Sequence, residues 1–286
     1  MGHDVAGLNI LDRAGELISS GEGHIDLSCL EDSVHYTKHM RCWLLSFVLL
    51  TACRHAAPQK LTIAAAADLN FALDEISRGF RQQNPAIDLR TAYGSSGNFY
   101  SQIRNHAPFD LFLSADVDYP RKLAAEGLVV RDSLFVYALG RIVVWVPAHS
   151  PLDPAGALHS SALRHVAIAN PSHAPYGRAA EAALRSLGVY DTVSGKLVLG
   201  ENVAQTLQFV ESGAADVGIV ALSLAIAPTV RDRGRFWQVP LEDYPEMKQA
   251  GVIVNDSPAA RAFRSWLLAP GGRAILQRFG FYLPEK

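Results

Sequence analysis

Apolar positions along the chain alternate between short continuous runs and segments with helical spacing. Residues 61–66 form an apolar run of strand length, and Leu69, Leu73, Ile76 and Phe80 then recur every three or four residues. The run is typical of a buried strand, whereas the spacing predicts an amphipathic helix. Further strands are predicted at 87–92, 109–113, 134–139, 141–146, 166–169, 197–199, 217–220 and 251–254. Helices at about 118–126, 259–268 and 272–279 are among those predicted between and after them.

The strand–helix alternation also predicts the fold class. Strands that alternate with helices form parallel sheets with helices on both faces. The alternation runs once to residue 139 and starts again near Val166, with Gly140 between two long apolar runs. Gly140 therefore suits a hinge, and 251–254 would return the chain to the first unit. We predict an α/β protein with two lobes (61–139 plus 245–286, and 140–244), each a mainly parallel sheet flanked by helices, joined by two hinge crossings.

A short hydrophobic segment near the start resembles a bacterial lipoprotein signal. Met40 and Arg41 precede an apolar stretch too short to span a bilayer. The tetrad Leu50-Thr51-Ala52-Cys53 that follows resembles a lipobox. We predict a signal peptide at 40–52, acylation of Cys53, a linker at 53–60 and a location in the periplasm or at the cell surface. The alternatives are a buried strand or cleavage near Ala57, and the acidic residues 1–39 are predicted to be a non-native upstream extension.

Composition and charge exclude several function classes. The formal net charge is −2, and no basic stripe indicates a nucleic-acid partner. All three cysteines lie at or before Cys53, so the main body has neither a disulfide framework nor a thiolate metal site. The turn at 94–97 lacks the spacing of a G-x-S-x-G nucleophile elbow, and the histidines form no H-E-x-x-H pattern. We therefore expect that the protein is not an enzyme.

The candidate chemistry lies at four strand-to-helix junctions, two in each lobe. Ligands of open α/β sheets bind beyond the strand ends, where helix starts offer unpaired N–H groups to anions. The junctions are Ala67-Asp68-Leu69, Ser95-Ser96-Gly97, Ala174-Pro175-Tyr176-Gly177 and Asn202-Val203-Ala204. Their neutral donors could hold a dehydrated oxyanion by many hydrogen bonds. Simpler roles remain open: Asp68 and Asn202 as helix caps, Pro175 as a first-turn proline, and 94–97 as a turn.

Seven stretches, taken in order, resemble the molybdate-binding proteins of ABC transporters. They are LTIAAAADL at 61–69, YGSSGNFYSQI at 93–103, APFDLFLSAD at 107–116, IANPSHAPYG at 168–177, ENVAQTL at 201–207, SGAADVGIVAL at 212–222 and RFGFYLP at 278–284. The resemblance implies a type II periplasmic-binding-protein clamshell. It also implies a monomer that needs no cofactor, binds molybdate or tungstate and delivers it to an ABC permease. Binding of sulfate or phosphate is the alternative, and a sensor domain is a third class.

The resemblance also implies which residues hold the anion, because the family uses serine hydroxyls and helix-start amides without counter-cations. The implied oxyanion site comprises Asp68, Ser95, Ser96, Gly97, Tyr176 and Val203. Molybdenum would be held only as the oxyanion, through Ser96, Tyr176 and Val203. Asp68 stands where many members have Ser, and Ala221 where many have a ligand-contacting Tyr. We expect Asp68 to cap its helix or to be protonated, and the Tyr176 hydroxyl is a candidate replacement for the missing tyrosine.

Overall fold

The computed structural model describes residues 59–284, which contain two five-stranded sheets with helices packed against them. The strands are β1 (Gln59–Ala66), β2 (Ile87–Gly94), β3 (Leu111–Ser114), β4 (Phe135–Gly140), β5 (Ile142–Pro147), β6 (Val166–Ala169), β7 (Leu197–Gly200), β8 (Val217–Ala221), β9 (Gly234–Gln238) and β10 (Met247–Ile253). The α-helices are α1 (Asn70–Gln83), α2 (Ser96–Arg104), α3 (Asp118–Ala125), α4 (Pro175–Ser186), α5 (Tyr190–Val193), α6 (Val203–Glu211), α7 (Leu222–Ala225), α8 (Pro258–Leu268) and α9 (Pro270–Arg278).

The two sheets have the same arrangement. Lobe one is built on the sheet β2-β1-β3-β10-β4, and lobe two on the sheet β7-β6-β8-β5-β9. In each sheet the first three strands are parallel and the last two pairings are antiparallel. The predicted two-lobed α/β class with mainly parallel sheets is therefore confirmed: four strands of each sheet run in one direction, and only β10 or β5 runs in the opposite direction. The antiparallel strands lie next to the crossings between lobes, so they do not belong to the β-α-β units that the alternation predicts.

The chain passes between the lobes near Gly140. This residue ends β4 in one sheet, and β5 begins two residues later in the other. A Cβ atom at Gly140 would lie only 2.7 Å from Gln249 Nε2 and from the Tyr176 hydroxyl. The glycine is therefore needed for close approach of these two side chains. After β9 the chain returns to lobe one, where α8 and α9 pack and the Phe80 and Phe263 rings meet edge to face at 5.0 Å.

The hydrophobic pattern located buried strands better than exposed ones. The predicted strand at 166–169 coincides with β6, and most other predicted strands differ from the observed ones by one to three residues. The pattern missed β9, whose side chains are half-buried or exposed, and it placed the start of β10 four residues too late. No helix within residues 59–284 combines the length and the hydropathy of a membrane span. The predictions for residues 1–39, the signal peptide and Cys53 lie outside the described residues.

Candidate functional site

All four strand-to-helix junctions meet at one small cavity between the lobes. The space in it that can take the centre of a water-sized sphere is only about 10 Å³, roughly what a single bound water molecule needs. The described residues that line it are Ala66, Ala67, Asp68, Gly94, Ser95, Ser96, Ala115, Ala174, Pro175, Tyr176, Asn202 and Val203. No lysine, arginine or histidine is among these lining residues. The cavity is therefore too small for an organic ligand, and the residues around it offer neutral donors from both lobes.

Ser96 is the most completely buried of the predicted site residues, with 0% of its surface exposed. Its hydroxyl oxygen accepts the amide hydrogen of Ala115 at 2.9 Å, which leaves the hydroxyl hydrogen free to donate. Ser96 is also the first residue of α2, so its own amide has no partner within the helix. The neighbouring Ser95 caps α2 by accepting from the Asn98 amide at 3.4 Å, and its hydroxyl lies 2.9 Å from His173 Nδ1.

Lobe two supplies two further helix-start amides. Pro175 is the first residue of α4, as expected for a first-turn proline, and Tyr176 follows it. Val203 is the first residue of α6, and the Asn202 side chain caps that helix by accepting from the amides two and three residues further on. The cap thus leaves the Val203 amide unpaired. Tyr176 and Val203 both belong to the cavity lining, and amides in the first turn of a helix have no partner within that helix.

The Gly97 amide does not join this set, contrary to the prediction from the resemblance. It donates instead to the His173 carbonyl of lobe two at 2.9 Å. A Cβ atom at Gly97 would lie 2.5 Å from the same carbonyl and 2.6 Å from the Tyr119 hydroxyl. Gly97 is therefore glycine because the two lobes touch there. Ser96, one residue earlier, lines the cavity instead, and its amide has no partner within the helix.

Asp68 lies on the cavity wall, but the expectation that it caps its helix is wrong. Neither the 3-10 turn Ala67–Leu69 nor α1 has a side-chain cap. The carboxylate turns toward the lobe interface, where Oδ2 accepts from the Tyr176 hydroxyl at 3.0 Å and from Gln249 Nε2 at 2.6 Å. Gln249 was not predicted to belong to the site, because β10 reads only as a buried strand and no motif marks this residue. Its position 181 residues from Asp68 gives no local signal.

The surroundings of Asp68 change its ionisation. Burial raises the pKa of this carboxyl from 3.8 to about 6, because the charged form loses its hydration. The hydrogen bonds from Gln249 and Tyr176 act in the opposite direction and hold the pKa below the value that burial alone would give. Burial and the nearby Asp68 carboxylate also raise the pKa of the Tyr176 hydroxyl well above 10, so this hydroxyl remains a donor.

The Tyr176 hydroxyl is not available to replace a tyrosine at position 221, contrary to the expectation from the resemblance. It donates to Asp68 Oδ2 and accepts from Gln249 Nε2 at 3.2 Å, so both of its main hydrogen-bonding directions are used. Ala221 is buried at the end of β8 and is not part of the cavity lining. The contribution of Tyr176 to the cavity is thus its backbone amide, and its side chain links the two lobes.

We call the buried set Asp68, Ser96, Tyr176, Val203 and Gln249 the cleft floor. The cleft rim consists of polar pairs that join the lobes around it. They are Ser95–His173, Asn98–Glu201 and Asp116–Arg178. The Asn98 amide nitrogen donates to Glu201 Oε1 at 2.7 Å, and the Arg178 guanidinium donates to an Asp116 carboxylate oxygen. The floor is buried, whereas the rim side chains other than Ser95 are half-buried or exposed.

A two-lobed α/β fold whose helix starts surround a small, cation-free cavity defines a binding protein for a small anion. A family model described as "Bacterial extracellular solute-binding protein" matches residues 61–282, and this chain belongs to that family. It is 38% identical to the molybdate-binding protein ModA of Azotobacter vinelandii over 82% of this chain and 94% of the relative. It is also 38% identical to ModA of Rhodobacter capsulatus, over 79% and 89% of the two chains.

A solved structure supports the same fold. The periplasmic molybdate-binding protein of Azotobacter vinelandii superposes with a TM-score of 0.74 and 34% identity, covering 79% of this chain and all of the other. The predicted type II clamshell is therefore confirmed, with two five-stranded sheets in the places that this fold requires.

Proposed function

We propose that this protein captures molybdate or tungstate between its lobes and delivers the anion to the permease of an ABC importer. The observation that carries the proposal is that Ser96, Tyr176 and Val203, at three helix starts from both lobes, line one small cavity whose lining residues include no cation. The name shared by two relatives that are each 38% identical to this chain supports the choice of ligand. Enzymatic activity is not part of the proposal.

The anion's oxygen atoms would take hydrogen bonds from the Ser96 hydroxyl and from the amides of Ser96, Tyr176 and Val203. No protein atom would bond to molybdenum itself. Donors at the positive ends of helices stabilise an anion without a counter-charge, because the amide dipoles already point at it. Such a site discriminates by the distances between donors, since charge is equal among tetrahedral dianions.

Size would separate molybdate and tungstate from sulfate. Metal–oxygen bonds are longer than sulfur–oxygen bonds, so the larger anions reach the donors of both lobes at once. Sulfate would leave some donors unpaired, and each buried unpaired donor costs about 1–3 kcal/mol. Two such losses correspond to selectivity of roughly a hundredfold or more. Molybdate and tungstate have similar sizes, so little discrimination between them is expected. Sulfate or phosphate as the true ligand is the competing possibility.

The anchoring of the protein belongs to the same proposal. Acylation of Cys53 would tether a monomeric binding protein to a membrane in the periplasm or at the cell surface, through lipid alone. The tetrad that ends at Cys53 and the preceding apolar stretch support this assignment. Mass spectrometry of the natural protein's N-terminus tests it: a lipid-modified Cys53 is expected, and an unmodified start after Ala57 would contradict it.

Titration calorimetry with molybdate, tungstate, sulfate and phosphate tests the ligand assignment. We expect tight binding of the first two anions and weak binding of the others. Ser96→Ala should weaken molybdate binding by about 10- to 100-fold, because a hydrogen bond to a charged ligand contributes about 1.5–3 kcal/mol. Ser101→Ala is the matched control, since Ser101 lies on the exposed side of the same helix. Equal affinities for sulfate and molybdate would refute the assignment.

A further inference from the structure

The Asp68 carboxyl is unusual because only one of its two oxygens is used by the protein. Oδ2 takes the hydrogen bonds from Tyr176 and Gln249. Oδ1 is buried and has no hydrogen-bond partner among the described residues. The amides of Asp68 and Leu69 lie close enough to favour the ionised carboxyl, but neither forms a hydrogen bond to Oδ1. A buried polar atom without a partner costs about 1–3 kcal/mol, so this oxygen is placed for something other than protein contacts.

No cation compensates Asp68 in the described part of the chain. The titratable groups around it are the hydroxyls of Tyr176 on α4, Tyr137 on β4 and Tyr244 before β10, and the Asp116 carboxylate lies beyond Tyr137. Helix α7 has no titratable residue, and the single one on α6, Glu211, stands at its far end.

The charged residues of α1 do not face Asp68 either. Asp74 accepts a hydrogen bond from Tyr93 on the outside of lobe one, and Glu75 pairs with Arg278. Arg78 and Arg81 are exposed. An ionised Asp68 would therefore be a buried, unpaired negative charge on the wall of the anion cavity, and it would repel the ligand.

A hydrogen bond between Oδ1 and an anion oxygen requires one hydrogen atom. Molybdate and tungstate, as fully deprotonated dianions, carry none, whereas hydrogen phosphate would bring its own. The site can therefore hold molybdate through Asp68 only when the hydrogen is on the carboxyl. The carboxyl would then donate through Oδ1 while Oδ2 continues to accept from Tyr176 and Gln249.

We propose that Asp68 takes up one proton from solution as the cleft closes on molybdate, and that its Oδ1–H then donates to an oxygen of the anion. This inference rests on the proposed function in one respect, namely that the ligand is a fully deprotonated tetrahedral dianion. No covalent bond forms. The proton comes from solvent on closure and returns there when the cleft opens. Asp68 thereby determines which protonation state of a tetrahedral anion the site accepts.

The burial of Asp68 sets the pH range in which this uptake is visible. Its pKa of about 6 means that the carboxyl loses its proton above that pH in the absence of ligand. Binding that requires the protonated form then weakens by about tenfold for each further pH unit. The neutral amide of Asn has the shape of the protonated carboxyl, with an oxygen for Tyr176 and an N–H for the anion. Asp68→Asn should therefore bind without proton uptake.

The test is titration calorimetry of the wild-type protein with dilute molybdate at about pH 7.5, in two buffers with different ionisation enthalpies. We expect the difference in observed enthalpy to correspond to about one proton taken up per anion. Asp68→Asn should take up none, keep one affinity between about pH 6 and pH 8, and bind more tightly than the wild type at the upper end. Asp74→Asn, which removes an exposed carboxylate that also accepts from a tyrosine, should behave like the wild type.

The wild-type measurement decides the matter even if Asp68→Asn does not fold. Tight molybdate binding without proton uptake would overturn the role of Asp68 and leave the proposed function intact. Uptake that persists in Asp68→Asn would also overturn it, because a group other than Asp68 would then take the proton. If the wild-type protein bound hydrogen phosphate tightly and molybdate not at all, the proposed function itself would fail.

Discussion

The cleft floor and the cleft rim both join the two lobes, but they do so with different chemistry. The floor is buried and uses neutral donors around one carboxyl, Asp68, which has no cation nearby. The rim is partly exposed and pairs opposite charges, as between Arg178 and Asp116. Charges in the floor therefore act at full strength, whereas charges in the rim are weakened by water and salt. We therefore propose that ligand choice and pH dependence arise in the floor, and that the rim only adjusts closure.

The largest effect is expected in the floor, where Asp68→Asn should change how the free energy of unfolding depends on pH. The pKa of Asp68 rises from 3.8 to about 6 on burial, so the folded protein binds the proton more tightly than the unfolded chain. This contribution to stability is fully present below about pH 4 and is lost as the pH rises through about 6. At about 1.4 kcal/mol per pKa unit, the loss is at most about 3 kcal/mol in the closed form.

Asp68→Asn should lack that loss, so its free energy of unfolding relative to the wild type should increase between about pH 4 and pH 7. Denaturant unfolding over this pH range measures the difference. Asp74→Asn serves as the control, because the Asp74 carboxylate is exposed and its replacement should produce no comparable slope. If the free energies of unfolding of the wild type and Asp68→Asn changed with pH in the same way, burial would not raise the pKa of Asp68.

The next largest effect concerns a backbone donor of the floor. Val203→Pro removes the amide hydrogen that is assigned to the anion, and proline is well tolerated as the first residue of a helix. Asn202 before it is extended (φ −149°, ψ 176°), which suits a residue that precedes proline. We expect molybdate affinity to fall by about 10- to 100-fold in titration calorimetry. Val203→Ala shortens the side chain but keeps the amide, so it should bind like the wild type, and equal losses in both variants would contradict the assignment.

The sequence was sufficient to predict the helix starts but not their side-chain partners. Glycine, proline and small polar residues after apolar runs mark such junctions locally, and the Asn202 cap and the Pro175 helix start are where the pattern placed them. The link from Asp68 to Gln249 spans 181 residues and has no local signature. These side chains come together only because β1 and β10 belong to one sheet, with β3 between them, and because lobe two lies close by.

A smaller effect is expected from the hydroxyl that joins the two lobes in the floor. Tyr176→Phe removes the donor to Asp68 Oδ2 but keeps the Tyr176 amide and the Gln249 hydrogen bond. A net hydrogen bond contributes about 0.5–1.5 kcal/mol, so molybdate affinity should fall by about 2- to 10-fold. Because the lost bond had lowered the pKa of Asp68, that pKa should rise and the decline of affinity should begin at higher pH.

Tyr93→Phe is the matched control for this change. The Tyr93 hydroxyl donates to Asp74 at 2.6 Å within lobe one, so its loss should leave both affinity and pH dependence unchanged. A decline of affinity in Tyr176→Phe that began at lower pH than in the wild type would mean that the hydroxyl does not stabilise the ionised carboxyl.

The smallest effect is expected at the rim, from Arg178→Gln. This change removes the ion pair with Asp116, in which the arginine side chain is 42% exposed and the carboxylate 16%. Partly exposed ion pairs contribute about 0–1 kcal/mol, so affinity should fall by no more than about fivefold. The difference from the wild type should shrink further as salt is added, because screening weakens exposed charges first. Arg185→Gln removes a pair with Glu181 on the same helix, away from the cleft, and should have no effect on binding. If Arg178→Gln lowered molybdate affinity as much as Val203→Pro, and if added salt did not change that loss, the rim would contribute to binding as much as the floor does.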